Sequence, residues 1–142
     1  MSKSAAFENA LLKLLFNGDA IANLADDAGT SPLTNLYVSL HTADPGDDGN
    51  QSTNEIGYTS YARVAVSRDT DGWTVTDSVV SPAEDIAFPV GTGGSGTATH
   101  FGVGTASSGA GVLLYSGEIT PNIVCGSGVT PYLTTETVIT ED

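Results

Sequence analysis

The chain has 142 residues, 39% of them hydrophobic and 15% charged, and its 17 acidic side chains face only four basic ones, for a formal net charge of −13. That length fits one domain with its own core, residues 1–142. With Lys3, Lys13, Arg63 and Arg68 as the whole cation supply, the chain lacks the clustered charge that displaces counterions from nucleic acid, so direct DNA or RNA binding is excluded as a role. Gly, Ser and Thr fill the hydrophobic shortfall, which favours a turn-rich β protein over disorder. The single cysteine, Cys125, excludes an intrachain disulfide and reads as a small buried apolar residue. No stretch approaches the length of a membrane span and the N-terminus lacks a cleavable apolar core, so the reading places synthesis and folding in the cytoplasm.

In chain order, Ser4 to Phe16 comes first: Phe7, Leu11, Leu14 and Leu15 recur at helical spacing, and Leu12 widens the apolar face. Ser2 or Ser4 caps it and Gly18 stops it, predicting a helix over about 4–17. A lone helix on a β domain uses such a stripe either as core or for docking another subunit, which makes Phe7, Leu11 and Leu15 candidate partner-binding residues. Residues 19–33 lack a clear period; a second short helix near Ala20 to Leu24 is one reading, closed by Pro32. The β region then runs over about 34–140. In Leu36 to His41, Leu36, Val38 and Leu40 share one strand face and Tyr37, Ser39 and His41 the other. Pro45, Gly46 and Gly49 take the chain out of the sheet into a long acidic loop, Thr42 to Thr59.

Tyr61 to Arg68 reads as the next strand, Asp69 to Gly72 as a turn, and Trp73 to Thr76 as the returning hairpin partner. Ala83 to Phe88 is a short strand stopped by Pro89, Gly91 to Gly96 a glycine-rich connection, and Thr97 to Val103 an alternating strand. Val112 to Ile119 follows, stopped by Pro121, and Thr130 to Ile139 is the last extended piece. The expected fold is mainly β, an antiparallel β-sandwich or jelly-roll-like barrel with an N-terminal helix. Leu36, Val38, Leu40, Val64, Val66, Phe101, Val103 and Leu113 are the expected core.

No motif assembles a catalytic site, a cofactor site or a metal set. Gly91 to Gly96 leads into a strand, whereas phosphate cradling needs a helix N-terminus after the glycines. Asp44, Asp47, Asp48 and Asn50 offer oxygen ligands, but without the spacing of a calcium loop; a solvated acidic turn is the reading, with the three aspartates as candidate partner contacts. His41 and His100 sit in strands that can be neighbours, yet no carboxylate or cysteine pattern completes a metal signature. No serine sits in a G-x-S-x-G elbow. Tyr37, Tyr58, Tyr61, Trp73, Tyr115 and Tyr132 would supply a sugar-stacking platform if exposed, although sheet aromatics ordinarily pack.

The segments Leu36 to Gly46, Tyr61 to Val66, Gly94 to Gly104 and Gly111 to Thr120 together resemble a family of small tailed-phage virion proteins, often labelled tail-fibre or structural proteins. The resemblance runs from the N-terminal helix to about Ile119. It implies a non-enzymatic virion structural protein present in many copies, contacting other virion proteins and copies of itself. Acidic charge, compact length and the lack of a fibrous repeat point, within that family, to a capsid decoration or cement protein on the outer capsid surface, with the major capsid protein as partner. The alternative is a tail or tail-fibre component contacting host or neighbouring tail proteins.

Overall fold

The computed structural model describes residues 4–21 and 32–141. It is mainly β, with 43% strand and 9% helix, antiparallel sheets and one short N-terminal helix. Among the described residues the sheets stay open and no barrel closes. Strands β1 (Asn35–His41), β2 (Val64–Ser67), β6 (Ser95–Gly104) and β7 (Leu113–Gly126) form one sheet in the order β2-β1-β6-β7. Strands β3 (Trp73–Thr76), β4 (Val79–Pro82) and β9 (Ile139–Thr140) form a second, and β5 (Ile86–Ala87) pairs with β8 (Tyr132–Leu133). The chain divides into two compact units: Met1–Asn35 with Val66–Asp85 and Thr134–Asp142, and Leu36–Ala65 with Ile86–Leu133.

In the first unit, helix α1 (Ala5–Leu12) continues as a π-helical turn, Lys13–Asn17, and ends at Gly18 with φ 72°. Ser4 is the cap, its hydroxyl accepting from the Phe7 amide at 3.3 Å. The face turned inward differs from the expected stripe: Leu12 and Phe16 are fully buried, whereas Phe7 is 41% exposed and Leu11 and Leu15 are half-buried. Leucines occupy nearly every side of this segment, so apolar spacing alone cannot choose a face; polar pairing chooses it. Asn9 donates to the Asp77 carbonyl at 2.6 Å and Asn17 to the Trp73 carbonyl at 3.0 Å, which lays the Asn9–Leu12–Phe16 side over β3 and β4. Phe16 meets Trp73 edge-on at 4.8 Å. The Arg68 guanidinium takes the carbonyls of Leu14, Leu15 and Leu33, closing the helix end where carbonyls lack intrahelical partners. Ala20 and Ile21 are not helical, and the rest of the second short helix expected near 20–24 lies outside the described residues.

Trp73–Thr76 pairs with Val79–Pro82, not with the strand before the Asp69 turn. Asp77, at φ 53°, supplies the positive φ of a tight connection, and Pro82 sits at the strand end, where its missing amide does little harm. Asp69 instead closes a local Asx turn, its carboxylate accepting from the Asp71 and Gly72 amides at 3.0 and 3.2 Å.

In the second unit β1 and β6 pair antiparallel from Tyr37↔Gly104 to His41↔His100. Leu36, Val38, Leu40, Phe101 and Val103 are buried as expected, whereas Val64 and Leu113, and Val66 of the first unit, are half-buried near sheet margins. Pro121 does not stop β7. The β6–β7 register steps from Ala98↔Ile123 to His100↔Glu118, so several β7 residues, Pro121 among them, stand opposite Thr99, where no regular ladder amide is required. The expected strands over Tyr61–Arg68 and Ala83–Phe88 shorten to β2 and β5, and the one over Thr130–Ile139 splits into β8 and β9, which join different sheets.

Candidate partner-binding surfaces

The second face of β1, the one that carries Ser39 and His41, is covered as well as the first. Ser39 and His41 are both fully buried. The His41 Nδ1–H donates to the Thr53 carbonyl at 2.8 Å, which leaves Nε2 to accept from the Ser39 hydroxyl at 2.8 Å. Burial holds the His41 pKa below its ordinary value, against the Thr53 hydrogen bond and the Glu55 carboxylate, while the Arg63 and His100 charges push the same way as burial. The two histidines do meet, as direct register partners. Among the described residues no group of three or more His, Cys, Asp or Glu side chains is placed to hold a metal ion.

The acidic loop is anchored along its length. The Asp44 carboxylate accepts from the Gly46 amide at 2.9 Å and the Asp44 carbonyl from Asn54 at 3.1 Å. Asp44, Asp47 and Asp48 are exposed at its tip, but Pro45, Gln51, Ile56 and Tyr58 of the same loop are buried. Gln51 acts as a plug: its Oε1 accepts from the Ala106 amide at 2.9 Å, its backbone N–H donates to the Ala110 carbonyl at 2.9 Å, and a Cβ at Gly104 or Gly111 would overlap its side chain.

Arg63 ties the same two loops together. Its side chain is 2% exposed and grips Glu55 through two bonds, Nε to Oε1 at 2.7 Å and Nη2 to Oε2 at 2.8 Å. It also donates to the Ala106 carbonyl at 2.8 Å and the Gly109 carbonyl at 2.7 Å. The Tyr61 hydroxyl donates to Glu55 at 2.9 Å and accepts from the Leu40 amide at 3.1 Å, and burial drives its pKa far up. Sequence reading passed over Gln51, Glu55 and Arg63. The one available signal was Arg63 itself, one of four basic residues, set among small apolar neighbours where a charge needs a partner.

The aromatic residues do not form a sugar platform. Tyr58 and Trp73 are 2% exposed, Tyr37, Tyr61 and Tyr115 are half-buried, and Tyr61 packs edge-on to Tyr58 at 5.4 Å and parallel to Phe88 at 6.3 Å. Tyr132 alone among the six is exposed, at 53%. The two candidate sets fall in different units: Phe7, Leu11 and Leu15 in the first, Asp44, Asp47 and Asp48 in the second. No helix among the described residues is long and apolar enough to cross a membrane.

Comparison with curated proteins gives no match. Residues 2–139, by contrast, match the family described as podophage GP4 fiber I protein gp80, so the similarity continues past Ile119 through β7, β8 and the start of β9. With nearly every residue inside the match, the chain belongs to this family of tailed-phage virion structural proteins.

Proposed function

We propose that the chain is a non-enzymatic component of a phage tail fibre, held in the particle by contacts with tail proteins and with further copies of itself. The observation that carries this reading is the match over residues 2–139 to a family described as a fibre protein. It favours the tail over the outer capsid surface and major capsid protein that charge and compactness had pointed to. The chemistry of the interior supports a structural role. His41 has both ring nitrogens engaged, and Cys125 is buried with its thiol pKa pushed up by that burial, so neither is presented as a base or nucleophile. Their neighbours hold loops in place: two surface loops are fixed through Gln51 and Arg63, a preorganisation that lowers the ordering cost of binding a partner. Phe7, Leu11 and Leu15 offer an apolar contact, and Asp44, Asp47 and Asp48 an anionic one for a basic patch.

The chain passes between its two units four times, so neither unit is a contiguous segment, and we take residues 1–142 as one cooperative domain made in the host cytoplasm. Coincident far- and near-ultraviolet unfolding transitions are the expected sign, and two separated transitions would refute it. Location is tested by gold-labelled antibody on intact virions, paired with particles lacking the protein. Label at the tail, and capsids that keep their thermal stability but carry defective fibres, are expected. Label at capsomers, with DNA released at lower temperature from the depleted particles, would overturn the tail assignment in favour of shell decoration.

A further inference from the structure

Four ionisable side chains of the second unit lie in one row across its sheet. The antiparallel register sets His41 of β1 opposite His100 of β6 and His100 opposite Glu118 of β7; on the other side of β1, His41 stands opposite Glu55 of the acidic loop. Directly opposed residues project from the same face of a sheet, so the order on that face is Glu55, His41, His100, Glu118. The row is sealed at His41, which is fully buried, while Glu55 and His100 are half-buried and Glu118 is exposed. Tyr61 and Arg63, from the segment that enters β2, reach the same place through Glu55.

On the loop side His41 has a thin cover. Residues 53–56 run beside the end of β1 as a short strip: the Thr42 amide donates to the Asn54 carbonyl at 2.8 Å, the Ile56 amide to the Leu40 carbonyl at 2.9 Å, and the His41 Nδ1–H to the Thr53 carbonyl at 2.8 Å. Thr53 is half-buried and Asn54, at φ 55°, is exposed, so little separates the ring from water on this side, whereas β6 on the other is an inner strand. A proton arriving at Nε2 keeps a hydrogen-bond partner. The new N–H donates to the Ser39 oxygen at 2.8 Å, and the Ser39 hydroxyl turns its own hydrogen to the Gly102 carbonyl at 3.4 Å. What the closed site lacks is hydration for the charge, and Arg63 and His100 add like charge around it.

We propose that His41 is an acid-operated latch: on taking up a proton it lifts residues 53–56 off β1 and admits water to the ring, while β1 and β6 stay paired. With the strip lifted the ring titrates near its ordinary value of about 6.5, and with the strip closed it titrates lower. The closed form is therefore fully favoured above about pH 6.5 and loses ground as pH falls toward the closed-form value. The opening is local, because Arg63 ties Glu55 to the Ala106 and Gly109 carbonyls and leaves that tether intact when the strip parts from β1. Asn54 also donates to the Asp44 carbonyl at 3.1 Å, which passes the motion to the acidic tip. Any partner held at Asp44, Asp47 and Asp48 would then be released in acid. That consequence rests on the proposed contact there, whereas the latch itself is a property of the isolated chain.

Amide hydrogen exchange of the full chain between about pH 7.5 and pH 5, corrected for the pH dependence of the exchange chemistry, reads the opening. One proton taken up on opening lowers the protection of the Thr42 and Ile56 amides by up to about tenfold per pH unit below about 6.5, while the amides that pair β1 with β6 keep theirs. The carbon-bound ring protons of His41 should titrate along the same curve in the wild-type protein, which needs no variant. In His41→Asn, whose amide can still donate to the Thr53 carbonyl, the acid loss of protection should vanish. Protection at Thr42 and Ile56 that is independent of pH, a loss shared equally by the β1–β6 amides, or the same loss in His41→Asn would each overturn the latch.

Discussion

Removing the guanidinium of Arg63 tests whether its clamp holds the second unit together. In Arg63→Met the aliphatic volume stays while both bonds to Glu55 and those to the Ala106 and Gly109 carbonyls go. Glu55, whose side chain is only 17% exposed, keeps its charge and loses its counterion, with the Tyr61 hydroxyl left as a neutral donor. Breaking a buried pair from one side costs about 3–5 kcal/mol, far more than the ~1 kcal/mol of an exposed pair, because the remaining charge stays desolvated. For a chain of this size that is a fall in melting temperature of roughly 10–20 °C. Glu55→Gln in the same background removes the stranded charge, so the double variant should recover part of the loss, with a coupling of about 1–3 kcal/mol. Urea unfolding of the four proteins gives each free energy from its midpoint and slope. An Arg63→Met protein within about 1 kcal/mol of wild type, or strictly additive variants, would show that the clamp is an ordinary surface pair and refute the reasoning.

Three other outcomes follow from the packing. Gly104→Ala should cost roughly 1–3 kcal/mol by forcing Gln51 aside, and Gln51→Ala, which makes room, should leave the double variant less destabilised than the sum of the singles. Phe16→Ala should cost about 3–5 kcal/mol, whereas Phe7→Ala, 41% exposed at its start, should leave unfolding within about 1 kcal/mol and show its effect, if it docks a partner, in particle assembly. The folded-state pKa of His41 is depressed by burial, so its contribution to stability is fully present above the unfolded value of about 6.5 and is lost as pH falls toward the folded pKa. Unfolding free energies between about pH 7 and pH 5 should therefore fall less steeply in His41→Asn than in wild type.

The strands legible in sequence were those whose alternation met no competing feature. Leu36, Val38 and Leu40 mark β1 because the face they share is buried in a central strand, and Thr97 to Val103 marks β6 for the same reason. The hairpin was misread because Asp69-Thr70-Asp71-Gly72 carries stronger turn chemistry than Asp77-Ser78, yet its carboxylate serves a local turn while the true reversal uses Asp77 at φ 53°. Pro121 misleads in the opposite direction: proline breaks a ladder only where its amide would have paired, and a register offset of that size leaves no trace in one strand's own sequence.

Helix α1 shows the same limit on the scale of a face. Its residues were predicted almost to the boundary, but which leucines go inside depends on Asn9 and Asn17 finding carbonyls at Asp77 and Trp73, contacts between segments more than 50 residues apart. The loops carry this furthest. A stretch rich in Asp, Gly and Asn reads as solvated because each residue is polar, and polarity says nothing about whether a partner waits. Gln51 is buried and Glu55 largely so because Ala106 and Ala110 satisfy the first and Arg63 the second, and those partners come from other segments of the unit. A sequence therefore shows its apolar core more readily than its polar one, since burial of a leucine follows from the residue while burial of a glutamine follows from the company it keeps. For this chain the distinction bears on the contact proposed at Asp44, Asp47 and Asp48: the loop that carries them is held at Gln51 and Glu55, so a partner that engaged them would meet a surface whose ordering cost was met during folding.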